Sequence, residues 1–255
     1  MKNSLAGKLR SAERPVRTNL DDYLYEHLKE LIVDRALLPG ERIVPEQLAR
    51  SIGVSRTPML SALKRLSQEQ LVEWRSRHGV FVRRLSMREL ALIFELREML
   101  EGLAARRAAK VITRPEVEYF RGLFREIGTA ETPEVRRTYM RKDYLFHSGL
   151  LEIAESVPLT QTIRSVNILV SAFGAGLLRP IPEVMAEHDA IFEALLRRDP
   201  DESEAAMRAH IRRSVEWLHR EADLTEQSKS EDVDRSLAIK LSTGGGTNDE
   251  WNRSR

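Results

Sequence analysis

Asp143 and His147 stand four residues apart in a segment where Tyr139, Phe146 and Leu150 recur at helical spacing, so both polar side chains fall on the face expected to be buried. An inward carboxylate beside an inward imidazole needs a partner. His188 shares a stripe with Val184, Met185, Ile191 and Leu195, and His210 shares one with Met207, Ile211 and Ser214. The two histidines flank the turn Asp199-Pro200-Asp201, each about ten or eleven residues from it. Antiparallel helices rise equally per residue on either side of a connection, which sets His188 and His210 at one level. Three imidazoles and one carboxylate converging on a point would suit a borderline divalent metal such as zinc or nickel, with water or a ligand oxygen in the remaining positions. Taken singly, each residue also fits a hydrogen-bonded core position, and the Asp–His pair fits a plain helical side-chain contact. The shared depth favours the metal. His219 is half a turn out of phase with His210 and should point away, while His27 and His78 belong to the N-terminal part.

Arg97 is a second anomaly, because it lies on the apolar stripe of Leu90, Ile93, Phe94 and Leu100 with Glu101 one turn later. A buried arginine demands an anion. An internal Arg97–Glu101 pair meets that demand, and so does the carboxylate of a small organic acid whose other oxygens reach the metal, since guanidinium matches carboxylate bidentately. Arg164 and Asn167, on the helix after Pro158, are further candidates for the same effector pocket. A metal-dependent enzyme acting on a small carboxylate is the alternative, because such a site can also activate water. No separate general acid or base stands out in the sequence, which counts against it.

The elements that must hold these residues are helices. Ser86-Met87-Arg88-Glu89 matches a capping box and opens a helix to about Val111, and Thr113-Arg114-Pro115-Glu116 opens the next. Thr132-Pro133, Pro158 and Pro182 mark three more starts, and a last helix follows Asp199 and ends near Ala222. Six helices with short connections predict an all-α bundle over 86–224. From Gln227 the composition turns polar, with glycines at 244–246, so 225–255 reads as a disordered tail, and the polar stretch 1–18 as a flexible arm.

Residues 19–85 read differently. A helix over Leu20 to Asp34 precedes Pro45 to Val82, where Leu48, Ala49 and Ile52 mark a short helix, Gly53 a turn, and Ser55 the cap of a second helix. Met59, Leu63 and Leu66 face inward there, leaving Arg56, Thr57, Leu60, Ser61 and Lys64 for an outer face that could enter a major groove. Two β-prone runs separated by Ser76 to Gly79 then form a hairpin with Arg75, Arg77 and His78 near its tip. This is the layout of a winged helix-turn-helix. Up to Leu85 the chain carries 16 Lys plus Arg against 10 Asp plus Glu, whereas the remainder carries 25 against 29. A basic N-terminal part suits a polyanion, and the mildly acidic remainder does not.

The chain has no cysteine, which excludes disulfides, thiolate nucleophiles and Cys-based zinc sites. Its longest apolar run, Ile168 to Leu178, is too short to span a bilayer, and the N-terminus lacks the apolar core of a signal peptide. A cytoplasmic protein with no membrane association is expected.

The run Leu48-Ala49-(x)3-Gly53-Val54-Ser55-Arg56-Thr57-Pro58, then Ala62-Leu63-(x)2-Leu66 and His78-Gly79, resembles the DNA-binding domain of GntR-type transcriptional regulators. Downstream, Asp143-(x)2-Phe146-His147, Glu187-His188-(x)2-Ile191 and Met207-(x)2-His210-Ile211 resemble the FCD ligand-binding domain of the FadR subfamily, with a helix count like its VanR branch. The resemblance covers about residues 20 to 222. It implies a homodimeric repressor of a pseudo-palindromic double-stranded operator, with Asp143, His147, His188 and His210 as metal ligands and a small carboxylate as effector. On the DNA it implies contacts from Arg56, Thr57 and Lys64, with Arg75, Arg77, His78 and Gly79 in the wing. Two departures stand out: Leu60-Ser61 replaces the usual Arg-Glu, and Ala154-Glu155-Ser156-Val157-Pro158 replaces Ala-Ser-Gly-Asn-Pro.

Overall fold

Leu24, Leu28, Leu31 and Ile32 bury one side of helix α1 (Leu20–Val33) in a computed structural model that describes residues 20–128, 132–174 and 179–243. Helices α2 (Pro45–Ile52) and α3 (Arg56–Gln68) follow, and Gly53 between them takes the left-handed φ of 73° that a side chain would resist. Met59, Leu63 and Leu66 of α3 are fully buried against α1, as their spacing requires. Strands β2 (Val72–Arg75) and β3 (Gly79–Val82) form the expected antiparallel hairpin, with Arg77 and Gly79 at positive φ around its tip. A further strand, β1 (Arg42–Ile43), pairs with β3 and gives the order β1-β3-β2. Its two residues are too few to show any alternation in sequence.

The rest of the described chain is helical: α4 (Met87–Val111), α5 (Arg114–Phe124), α6 (Pro133–Ile153), α7 (Val157–Phe173), α8 (Ile181–Arg197) and α9 (Pro200–Thr243). The two capping boxes are realised, whereas Ser55 stands at the N-cap position of α3 without a side-chain cap hydrogen bond. Ser86 and Glu89 bond reciprocally at the start of α4, and Glu116 accepts from the Thr113 backbone N–H at 2.7 Å before α5. Asp199 caps α9 by accepting from the N–H groups of Asp201 and Glu202, each at 3.0 Å. Helix α4 is the spine, packed along α9 and against α6, α7 and α8.

Helix α9 does not end near Ala222 but continues to Thr243, through much of the stretch expected to be a disordered tail. Polarity misleads at this point: from Asp201 to Thr243 the sequence holds no glycine or proline, so nothing in it interrupts a helix before Gly244. The arm 1–18 and residues 244–255 lie outside the described residues. No described helix is long and apolar enough to cross a membrane.

Helix α7 belongs to both halves of the molecule. Ala172 and Phe173, at its C-terminus, are buried in the winged domain's core with Leu24, Leu28 and Leu63. Arg35, after α1, donates to the Phe173 carbonyl at 3.2 Å and so places a cation at the helix's C-terminal end.

Candidate functional site

Asp143 and His147 of α6, His188 of α8 and His210 of α9 meet in the middle of the bundle, each offering one ligand atom, with all four atoms within 4.8 Å of one another. The depth argument holds in three dimensions: the rings of His188 and His210 lie 4.7 Å apart across the hairpin closed at Asp199. His219 stands 45% exposed near Glu95, out of phase as expected.

Each ring's orientation has a visible cause. Glu101 of α4 binds His147 through Nδ1 and accepts from Arg97 Nε at 2.7 Å. Glu187 of α8 binds His210 Nδ1 at 2.9 Å and grips Arg179 through both of its oxygens, at 2.8 and 2.5 Å. Two Arg–Glu–His chains, Arg97–Glu101–His147 and Arg179–Glu187–His210, therefore leave the Nε2 atoms of two rings for the centre. Carboxylates on the distal nitrogen fix ring tautomer and direction in the manner metal-binding histidines use.

Donor geometry tests the fit to a cation. His147 Nε2 and His188 Nε2 lie 3.6 and 3.3 Å from the Asp143 carboxylate, and both are buried without a hydrogen-bonding partner among the described residues. Buried polar atoms left in that state are costly, and zinc ligands about 2.0–2.2 Å from a common ion stand at comparable mutual distances. The four residues fit a divalent metal. Tyr139 supports the set by donating to Asp143 at 3.0 Å.

Burial disfavours every charge here, and neighbours decide which survive. It pushes His188 down and His210 to about 3, where the nearby imidazoles act in the same direction. Against burial, Glu101 and Asp143 raise His147 to about 9, while His147 and His188 hold Asp143 well below the usual carboxylate range. Glu101 and Glu187 overcome burial in the same way and lie at about 2, held by Arg97 and His147 and by Arg179 and His210.

A cavity of about 70 Å³ adjoins the centre, with Asp143, His210, Arg97, Arg179 and Tyr139 on its wall. Arg97 is 6% exposed, its guanidinium lies over the Phe94 ring, and Glu101 engages only its Nε, so among the described residues its terminal nitrogens make no hydrogen bond. The Arg97–Glu101 pair expected from the sequence is present, and Arg97 also lies on the cavity wall. Arg164 is not brought to this site. It lies exposed on α7, 3.9 Å from Glu152, because it follows buried Ile163 and so turns away from the core. Asn167 is buried, its Oδ1 without a partner among the described residues, and is not on the cavity wall. Arg179 was not foreseen, since it sits between helices where no periodicity marks it.

On the winged domain the outward residues fall as their spacing required. Arg56, Thr57 and Lys64 are exposed on α3, and Arg75, Arg77 and His78 are exposed around the hairpin tip beside half-buried Gly79. Arg56 is held by Glu46 at 2.8 Å, and Arg75 lies over Phe81 while pairing with Glu73 at 2.6 Å.

Residues 20–82 match the model of the bacterial regulatory proteins of the gntR family, and residues 92–213 match the FCD domain. The Nta operon transcriptional regulator of Aminobacter aminovorans is 33% identical over 182 residues, which are 71% of this chain and 85% of that protein. The chain belongs to the GntR family. A second GntR-like relative, the HTH-type transcriptional repressor RspR of Escherichia coli K12, is 26% identical over 195 residues, covering 75% of this chain and 86% of its own. The solved structure of E. coli McbR/YncC shares the fold, with a TM-score of 0.63 at 18% identity over 80% of this chain and 99% of that one. Membership makes this GntR chain a DNA-binding transcriptional regulator with a ligand-binding helical domain, and it decides against the enzymatic alternative.

Proposed function

We propose that this chain is a homodimeric cytoplasmic repressor of the VanR-like branch, whose grip on a pseudo-palindromic operator is set by a small carboxylate bound beside a divalent metal. The observation that carries the proposal is that one cavity is walled by two metal-site residues, Asp143 and His210, and by an arginine with unused donors, Arg97. Three imidazoles and a carboxylate favour zinc or nickel over hard cations. A bound ion would supply positions for a carboxylate oxygen, and Arg97 offers the guanidinium edge for the other.

Arg56 is assigned to a base edge or phosphate in the major groove and Thr57 and Lys64 to the backbone. Arg75, Arg77, His78 and Gly79 carry the wing toward the minor groove. A second copy suits the outer face of α4, where Leu92, Leu96, Met99 and Leu103 are 44–58% exposed at the spacing of a coiled-coil seam. Helix α7 supports a route for regulation: Val170 and Gly174 wall the cavity, while Ala172 and Phe173 sit in the winged domain's core. A ligand shifts DNA affinity only through different affinity for two arrangements of these domains.

Elemental analysis of the purified full chain checks the metal. About one divalent ion per chain is expected, falling to background in a His188→Ala/His210→Ala variant. Unchanged occupancy in that variant removes the site.

A further inference from the structure

Arg56 is the first residue of α3, where a cation meets the positive end of the helix dipole, and the first turn of α3 holds no acidic residue to offset it. Its anion comes from the neighbouring helix. Glu46 stands in the first turn of α2, and its Oε1 lies 2.8 Å from Arg56 Nη2. That turn is firmly placed. Pro45, Leu48 and Ala49 of α2 are buried, and the step from α2 to α3 is fixed by the left-handed Gly53 and by the Val54 N–H, which donates to the Ala49 carbonyl at 3.0 Å. The carboxylate therefore reaches Arg56 from a rigid element before any DNA arrives.

Stability does not account for the pair, because the two side chains are 63% and 39% exposed and ion pairs of that kind contribute little to folding. What the carboxylate changes is the choice of partner for Arg56. A phosphate would set a second anion beside Glu46 across one guanidinium, whereas guanine presents the neutral acceptors O6 and N7. The contact with Glu46 involves Nη2, which carries two protons, so a bidentate edge stays open. Arg75 in the wing shows the opposite arrangement. Glu73 accepts from both its Nε and its Nη2, at 2.9 and 2.6 Å, and so takes the whole of that edge.

We infer that Glu46 is a positioning residue for sequence reading: it holds Arg56 toward a guanine edge and away from the phosphates, and so sets a guanine preference in each half-site. The inference rests on the assignment of α3 to the major groove with Arg56 against the DNA. Glu46 itself touches no base in this scheme. Its negative charge costs some affinity for any duplex, and in exchange the flexible arginine is directed to one kind of acceptor. Without the carboxylate, Arg56 is free to swing to a phosphate, which carries no sequence information.

Selection from a library of random duplexes by the full chain, in wild type, Glu46→Ala, Glu46→Gln and Arg56→Ala, tests this, followed by salt titrations on the selected and a scrambled duplex. The wild type is expected to select a guanine in each half-site that Arg56→Ala no longer selects. In Glu46→Ala that guanine preference should fall about tenfold, while the scrambled duplex binds more tightly and the log–log salt slope steepens by about one unit. Glu46→Gln, which keeps an acceptor oxygen without the charge, should lie between the two. Both substitutions are at a partly exposed surface position, so folding is not at risk. A Glu46→Ala chain with the wild-type guanine preference, its affinity changed for all sequences alike or not at all, overturns the inference and leaves Arg56 as a DNA contact. Recovery of the wild-type motif by Arg56→Ala, or of no motif by the wild type, overturns the inference together with the assignment of Arg56.

Discussion

In the winged domain the charged groups that would meet a ligand stand outside an apolar core, whereas in the helical domain they are the core. Arg56 is 63% exposed above Met59 and Leu63, which are fully buried one helical turn or two further on. Arg97, Glu101, His147, His188 and His210 are all at least 94% buried, interleaved with Phe124, Phe146 and Phe192. The first arrangement lets recognition change without touching stability. The second ties ligand chemistry to folding, because every buried charge depends on a partner, Arg97 on Glu101 of its own helix and Glu101 also on His147 of another.

The sharpest way to break this contrast is Glu101→Ala. The carboxylate is 2% exposed and holds both Arg97 and His147, so its loss leaves buried Arg97 without its hydrogen-bonded anion and His147 with Asp143 alone, 3.6 Å away. A destabilisation of about 3–5 kcal/mol is expected in chemical denaturation of the metal-free chain. A change below about 0.5 kcal/mol, the range of ordinary surface substitutions, would mean that the helical core does not depend on its charges.

Phe173→Ala probes the place where the two regions meet. Removing a ring 7% exposed in the winged core should cost about 2–3 kcal/mol, at or below the usual range for Phe→Ala because the residue lies at a helix end. Metal content should be unaffected, since Phe173 touches the winged core and not the four ligands. Loss of metal together with stability would show that the two regions cannot be separated at α7.

What could be read from the sequence follows the same division. Helical pitch brought His188 and His210 to one level, and the inward register of Asp143 and His147 needed only the stripe of Tyr139, Phe146 and Leu150. Glu101 was legible as a neighbour of Arg97 but not as the anchor of His147, since that contact joins residues 46 apart in sequence. Arg179 lies outside any helix, strand β1 has two residues, and Arg164 turned on a single position in the α7 wheel. Local periodicity speaks to neither of the first two, whereas the stripe of Leu159, Ile163 and Asn167 already turns Arg164 outward. The long continuation of α9 was hidden by composition, because a polar helix and a polar tail differ in glycine and proline rather than in charge.

Arg56→Ala is the corresponding test on the surface. Operator affinity should fall by about 1–3 kcal/mol in a gel shift, as expected for a side chain reading a base edge. Stability should move by less than about 0.5 kcal/mol, because the side chain is exposed and its pair with Glu46 is a surface one. Wild-type affinity in this variant would show that α3 does not present Arg56 to DNA.

Leu60 carries the smallest expected effect and the most specific one. It lies half-buried on α3, between exposed Thr57 and exposed Lys64, where the resemblance to GntR regulators places an arginine. Leucine cannot neutralise a phosphate or pair with guanine, so its contribution on DNA is limited to apolar contact, such as with a thymine methyl. Leu60→Arg should add one phosphate contact and steepen the salt dependence of operator binding by about one unit of log–log slope, while tightening binding to unrelated duplexes alike. If Leu60 reads a thymine methyl, the same substitution should instead weaken binding to the native operator by about 1 kcal/mol or more, leaving other sequences little changed. Salt titrations on operator and scrambled duplex separate the two, and no change in either slope or preference would place Leu60 off the DNA altogether.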